Sequence, residues 1–135
     1  MAKNRLTIVL MDPPYESANS TTAFRIIAAA LKKGIDVNVF AYEGAVLLPF
    51  REQAPHANPV KGTSVEEEDH PTTKSFVSSL MELGRENPLL TWMNCGLCVD
   101  ERGAGNAVEG VKRGGPADLL RMALESTNTL VIPTR

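Results

Sequence analysis

The chain has 135 residues, 43% of them hydrophobic, 22% charged and 5% aromatic, which is the length and apolar content of one globular domain rather than two. Fourteen basic side chains against sixteen acidic ones leave a formal charge of −2 at neutral pH. That is not the cationic surplus that holds a protein on phosphate backbones or anionic lipid, so neither nucleic acid nor membrane is an expected partner.

In chain order, Arg5 to Met11 is a β-branched apolar run bounded by polar residues and prolines, which predicts a strand buried on both faces. It runs straight into Asp12, Pro13 and Pro14 without a small-residue cleavage site, so the cytoplasm is the expected compartment. No apolar run approaches the about 18 residues that cross a bilayer. Ser20 to Lys33 places Phe24, Ile27, Ala28 and Leu31 on one helical face. Ser20 or Thr21 is expected to cap that helix, Lys32 and Lys33 suit the negative end of its dipole, and Gly34 stands at the usual left-handed closing position. Ile35 to Tyr42 alternates as a second strand, completing a right-handed βαβ unit.

Between Glu43 and Thr73 the pattern dissolves into Pro49, Pro55, Pro59, Gly62, Pro71 and the acidic run at 66–69, which predicts a long surface loop at about 44–72 within a single 1–135 domain. A helix follows over Thr73 to Arg85, with Phe76, Val77, Leu80, Met81 and Gly84 on one side. Leu89 to Asn94 reads as the third strand and ends directly at Cys95. A short helix over Leu97 to Arg102 is stopped by Gly103 and Gly105, and a loop through Gly110, Gly114 and Gly115 leads to a helix opening at Pro116 with Asp118 in its first turn. Leu119, Leu120, Ala123 and Leu124 are its expected apolar stripe, and Thr129 to Ile132 is the last strand. Alternating strands and helices predict an α/β fold: a parallel sheet with helices on both faces, as a single-domain sandwich.

The two cysteines lie three positions apart in mid-chain, unlike a disulfide framework spread across a small secreted fold. Cys95 ends a strand and precedes a helix, at the carboxyl edge of the sheet where ligands of open α/β folds gather. Backbone N–H groups and the helix dipole there favour thiolate, the species that attacks sulfur or carbonyl electrophiles. Cys98, one turn later, comes close enough for the two sulfurs to bridge. The plainer alternatives are that Cys95 is an inert strand-end residue and that Cys98 is a small apolar residue facing the sheet.

The run Trp92-Met-Asn-Cys95-Gly-Leu-Cys98-Val-Asp-Glu-Arg102-Gly103 resembles the DsrE/DsrF-like family, which includes the TusD-type sulfur-relay subunits. In that family a cysteine ends a strand and an Arg-Gly pair follows seven and eight residues later. Ala23-Phe24-Arg25 through Val39-Phe40, and Gly110-Val111, Asp118-Leu119-Leu120 and Leu130-Val131-Ile132, extend the resemblance over most of the chain outside 46–72. It implies a parallel α/β sandwich assembled as homotrimers, homohexamers or heterohexamers, in which Cys95 accepts a persulfide sulfur from a donor protein and hands it to an acceptor. Asn94, Arg102, Gly103 and Glu43 are the expected pocket and anion-stabilising residues around it. Thiolate and persulfide exchange by direct displacement, so no organic cofactor is expected. Two departures stand out: Glu43-Gly44-Ala45-Val46 replaces the family's shorter Asp-Gly-Val, and Cys98 is not needed by a single-cysteine relay. Attack by Cys98 on a Cys95 persulfide would expel sulfide and leave a disulfide.

Four other readings compete. A thioredoxin-like dithiol protein also uses Cys-x-x-Cys at a helix start, but early in the chain and with a later proline-bearing strand that has no obvious counterpart here. Zinc would require His56 and His70 to join Cys95 and Cys98, a spacing that matches no compact finger, so no metal is expected. Gly103-Ala-Gly105 lacks the third glycine of a dinucleotide loop, although backbone N–H groups there and at the Pro116 helix would suit an anion. Finally, a non-catalytic subunit of a hetero-oligomer would present Val46, Leu47, Leu48 and Phe50 as an interface. Burial of Cys95 without solvent access would favour that last reading.

Overall fold

In the computed structural model, which describes residues 3–57, 62–68 and 71–134, the apolar runs assemble into one five-stranded parallel sheet. Its strands are β1 (Arg5–Leu10), β2 (Asp36–Ala41), β3 (Leu90–Cys95), β4 (Lys112–Gly114) and β5 (Asn128–Ile132). They lie in the order β4-β3-β2-β1-β5. The helices are α1 (Asn19–Lys32), α2 (Val65–Glu68), α3 (Thr73–Leu83), α4 (Gly96–Arg102) and α5 (Pro116–Leu124), with a 3-10 helix at Glu43–Leu47. Among the described residues no helix is long and apolar enough to cross a membrane.

The two-residue period of the strands sorts their side chains between two helical layers. Ile8, Leu10, Val37, Val39, Leu90 and Trp92 pack with Phe24, Ile27 and Leu31 of α1 and with Val77 and Leu80 of α3. On the opposite face Phe40 and Met93 meet Met122 of α5. The predicted two-sided sandwich is therefore the observed one, and α1, α3 and α5 fall where amphipathic periodicity put them.

Four local expectations need correction. Neither Ser20 nor Thr21 caps α1, which starts at Asn19 with no side-chain cap. The Asn19 N–H donates to Ser17 Oγ (3.1 Å) and its side-chain amide to Asp12 (3.0 Å), so this polar turn begins the helix earlier. In α5, Leu119 and Met122 meet the sheet, whereas Leu120 and Leu124 are 60% and 77% exposed. An i, i+3 row has taken the inward position and left the i, i+4 leucine row outside. Strand β4 lies in what reads as a glycine-rich loop. Its Lys-Arg-Gly sequence has no strand periodicity, and pairing with β3 creates it. Lastly, Val46 and Leu48 are fully buried, Val46 with Val99 and Ala104 and Leu48 in the main core, so this segment is internal packing rather than an external interface.

Asp36, which opens β2, clamps the amino-terminal rim. Its carboxylate accepts the Leu89 N–H at 2.8 Å and pairs with Lys3 at 3.0 Å and Arg5 at 3.7 Å. Burial alone would raise its pKa, but the Leu89 donor and the two cations outweigh it and hold the carboxyl below its ordinary value. The stabilisation is therefore present above the unfolded-state value and is lost as pH falls through the lower folded-state one. Asp36→Asn is expected to lower the unfolding free energy at neutral pH by about 1–2 kcal/mol. The gap from wild type should close as pH drops below about 4, as read from urea denaturation across the acid range.

Candidate functional site

Strand β3 delivers the first sulfur. Alternation along it turns Trp92 and Asn94 to the α1/α3 face and Met93 and Cys95 to the α5 face. Asn94 is buried, accepting from Trp92 Nε1 at 3.2 Å and donating its amide to the Val46 carbonyl at 3.2 Å. It thus ties the 3-10 helix to the end of β3 from behind the site. Cys95 is both the last residue of β3 and the residue before α4, and it is half-buried. Both cysteines are free thiols, and the outcome that would have favoured a purely structural subunit, a sealed Cys95, is not what the fold shows.

Cys98 lies one turn into α4 and is buried, packed with Val46, Val99 and Ala104. Its sulfur is not in wholly apolar surroundings, because the Glu43 backbone N–H donates to Cys98 Sγ at 3.1 Å and Cys95 packs in the same cluster. Burial pushes the Cys98 thiol above its ordinary pKa. The Glu43 N–H opposes that rise, while the Cys95 sulfur and the Glu43 carboxylate reinforce it.

The Glu43 N–H is aimed by its own backbone, which adopts a φ of +52°, a left-handed conformation uncommon outside glycine. Arg102 holds the residue there: its guanidinium meets Glu43 Oε2 at 3.1 Å, Glu101 at 3.6 Å and the Cys98 carbonyl at 3.4 Å. The next residue must be glycine, since a Cβ on Gly44 would fall 2.8 Å from the Pro13 ring. Beside this corner opens a cavity of about 600 Å³ lined by Met11, Pro13, Tyr42, Glu43, Leu47 and Arg102. A cavity of about 510 Å³ lies at the opposite end of β3, against Met81, Arg85, Leu89, Glu109 and Lys112, remote from both sulfurs. Both sulfurs lie at the carboxyl rim.

The other expected residues take lesser positions. Gly103 closes α4 in the left-handed conformation (φ +60°) and does not touch either sulfur. The Gly115 N–H ahead of α5 is already taken by Asp118 at 2.9 Å, so an anion there would have to displace a carboxylate. His56 packs edge-on against Tyr15, and His70 lies outside the described residues. Among the described residues no group of three or more His, Cys, Asp or Glu is arranged to hold a metal ion. Sequence reasoning missed Arg113, which β4 brings beside α4, where it donates to the Gly96 carbonyl at 3.0 Å and Asp100 at 2.9 Å. It also missed the Glu43 N–H, whose one sequence signal is a Glu-Gly pair directly after a strand.

The family model for DsrE/DsrF-like proteins matches residues 4–132, and the two cysteines, β3 and α4 all fall inside that span. The chain belongs to the DsrE/DsrF-like family. Relatives within reach include an uncharacterized protein of Methanocaldococcus jannaschii, 27% identical over 128 residues, covering 93% of this chain and 97% of the relative. Another, from Methanopyrus kandleri, is 27% identical over 127 residues, covering 93% and 91%. Among solved structures the DsrE-like fold recurs in the ychN protein from E. coli, with a TM-score of 0.76 at 20% identity over 96% of this chain and 99% of that one. A conserved protein of unknown function from Bacteroides thetaiotaomicron aligns with a TM-score of 0.63 at 13% identity, covering 96% and 95%.

The contrast between the two thiols is directly measurable. Under limiting iodoacetamide at neutral pH, peptide mapping should show Cys95 alkylated at least about tenfold faster than Cys98, whose thiol is both buried and held protonated. Equal rates would mean that the rim around α4 opens freely.

Proposed function

We propose that this DsrE/DsrF-like chain carries sulfane sulfur on Cys95. The observation that carries the reading is a half-buried free thiol at the carboxyl end of β3 with a second sulfur packed in the same cluster. The Cys95 thiolate attacks the outer sulfur of a donor protein's persulfide, and the donor thiolate leaves. In the forward step an acceptor thiolate attacks the outer sulfur now on Cys95, and the Cys95 thiolate leaves. Each step exchanges one S–S bond for another, so displacement proceeds without an organic cofactor. Glu43 and Arg102 line a cavity whose wall includes neither sulfur, and Asn94 and Gly103 fix the ends of β3 and α4. Arg102 meets an incoming anion only in competition with Glu43 and Glu101.

Incubation with inorganic polysulfide should add about 32 Da to the protein, mapped to the Cys95 peptide and absent from Cys95→Ser. An adduct that survives in Cys95→Ser would shift the reading to Cys98. No adduct on any variant would leave the assembly-subunit reading in its place.

The reading includes a homotrimer or homohexamer. Leu120 and Leu124 on α5, Val131 on β5 and Leu97 on α4 are all more than half exposed. Desolvating such leucines is worth about 1.5–3 kcal/mol each. Leu120→Asp with Leu124→Asp is expected to turn the assembly into monomers in light scattering while circular dichroism stays helical and stranded. An unchanged mass would place the interface elsewhere.

A further inference from the structure

Cys98 has no task in a one-cysteine relay, yet its surroundings are not those of a packing residue. An inert buried thiol needs only apolar neighbours. Here a backbone N–H donates to the sulfur at 3.1 Å, from a residue whose left-handed φ of +52° is uncommon for glutamate. That conformation is enforced from outside, by Arg102 on the side chain and by the Ala45 N–H donating to the Met11 carbonyl at 3.1 Å. An N–H aimed at sulfur lessens the cost of ionising a thiol that burial on balance holds above its ordinary pKa, and the thiolate it eases is the nucleophilic form.

Position agrees with this. Cys95 precedes α4 with an extended backbone (φ −61°, ψ 120°) and Cys98 lies one turn inside that helix, with the two side chains packed in one cluster; a disulfide between them draws the Cβ atoms to about 3.5–4.5 Å. Cys98 is the buried member of the pair and Cys95 the half-buried one. Cys98 packs with Cys95 in that cluster, and the part of Cys95 that reaches solvent leaves room for an added sulfur.

We propose that Cys98 is a resolving thiol that discharges the Cys95 persulfide as sulfide, with Glu43 as the positioning residue that presents its backbone N–H. The inference rests on the persulfide reading of Cys95. The Cys98 thiolate attacks Cys95 Sγ and a Cys95–Cys98 bond forms. The bond from Cys95 to the outer sulfur breaks, and the outer sulfur leaves with the electron pair as hydrosulfide. Two thiol sulfurs are oxidised to a disulfide while the sulfane sulfur is reduced to sulfide. A reductant of the dithiol class then restores both thiols by exchange, becoming a disulfide itself. The loaded protein thus has two exits: transfer to an acceptor thiol when one is docked, and release of sulfide when none is.

The test loads the full chain with inorganic polysulfide, removes the excess without oxygen or added thiol, and follows free sulfide and intact mass together. Wild type is expected to release about one equivalent of sulfide and to end about 2 Da lighter than the reduced protein, with Cys95 and Cys98 linked in the peptide map and the loss reversed by dithiothreitol. Cys98→Ser should keep its adduct of about 32 Da on Cys95 and release less than about a tenth of that sulfide. Cys98→Ala serves if the serine variant does not fold, and the wild-type stoichiometry needs no variant at all. Wild type that keeps its adduct as long as Cys98→Ser, or carries it on Cys98, would overturn the resolving role and leave Cys95 as a carrier. A Cys98 variant that never takes up sulfur would instead overturn the carrier reading, and this inference with it.

Discussion

The N–H of Glu43 reaches the Cys98 sulfur only because distant stretches of chain converge on it, and the site's geometry follows from that contact. Gly44 lets Pro13 approach the corner, Asn94 ties the 3-10 helix to β3 through the Val46 carbonyl, and Arg102 reaches across from α4. Each of these ties is modest. An exposed ion pair such as Arg102–Glu43 is worth about 0.2–1 kcal/mol. The corner is rigid because it is over-determined, with contacts from β1, β2, β3 and α4 meeting on a few residues. Strain at a functional corner is sustained in this way, by neighbours that leave the backbone no alternative.

Much of the architecture is written in periodicity. The β-branched runs of β1 and β2 and the apolar face of α1 are long and regular, and both the two-sided sheet and its parallel sense follow from their alternation. What escapes is what tertiary contact decides. β4 is three residues of Lys-Arg-Gly that become a strand because β3 offers an edge. The phase of α5 is set by which row meets Phe40 and Met93, and hydrophobicity alone does not distinguish Met122 from Leu120. The 43–73 segment reads as loop because its buried apolar residues Ala45, Val46 and Leu48 cluster on one short 3-10 turn, too brief to show a period, and prolines follow.

The cysteines were legible for a related reason: a strand that ends in Cys-x-x-Cys puts both sulfurs at the sheet's rim whatever else the chain does. The partners of those sulfurs were less so. A backbone donor has no identity in the sequence, so Glu43 is visible as a carboxylate and invisible as an N–H. Arg102 reads as a free cation and is shared between two carboxylates. Asn94, next to the reactive position in sequence, faces the opposite side of the sheet and acts on the site through the packing behind it.

The strand order has one more consequence, which concerns how the chain emerges during synthesis. β1 lies between β2 and β5, so one of its edges waits until residues 128–132 have been made. Every element that shapes the sulfur corner, from Pro13 to Arg113, precedes that last strand. Until residues 128–132 are made, the β1 edge, Arg-Leu-Thr-Ile-Val-Leu, has no partner on that side. Such an edge is a template for pairing with other chains. The short β5 closes that edge last, and the exposure of β1 on that side ends with it.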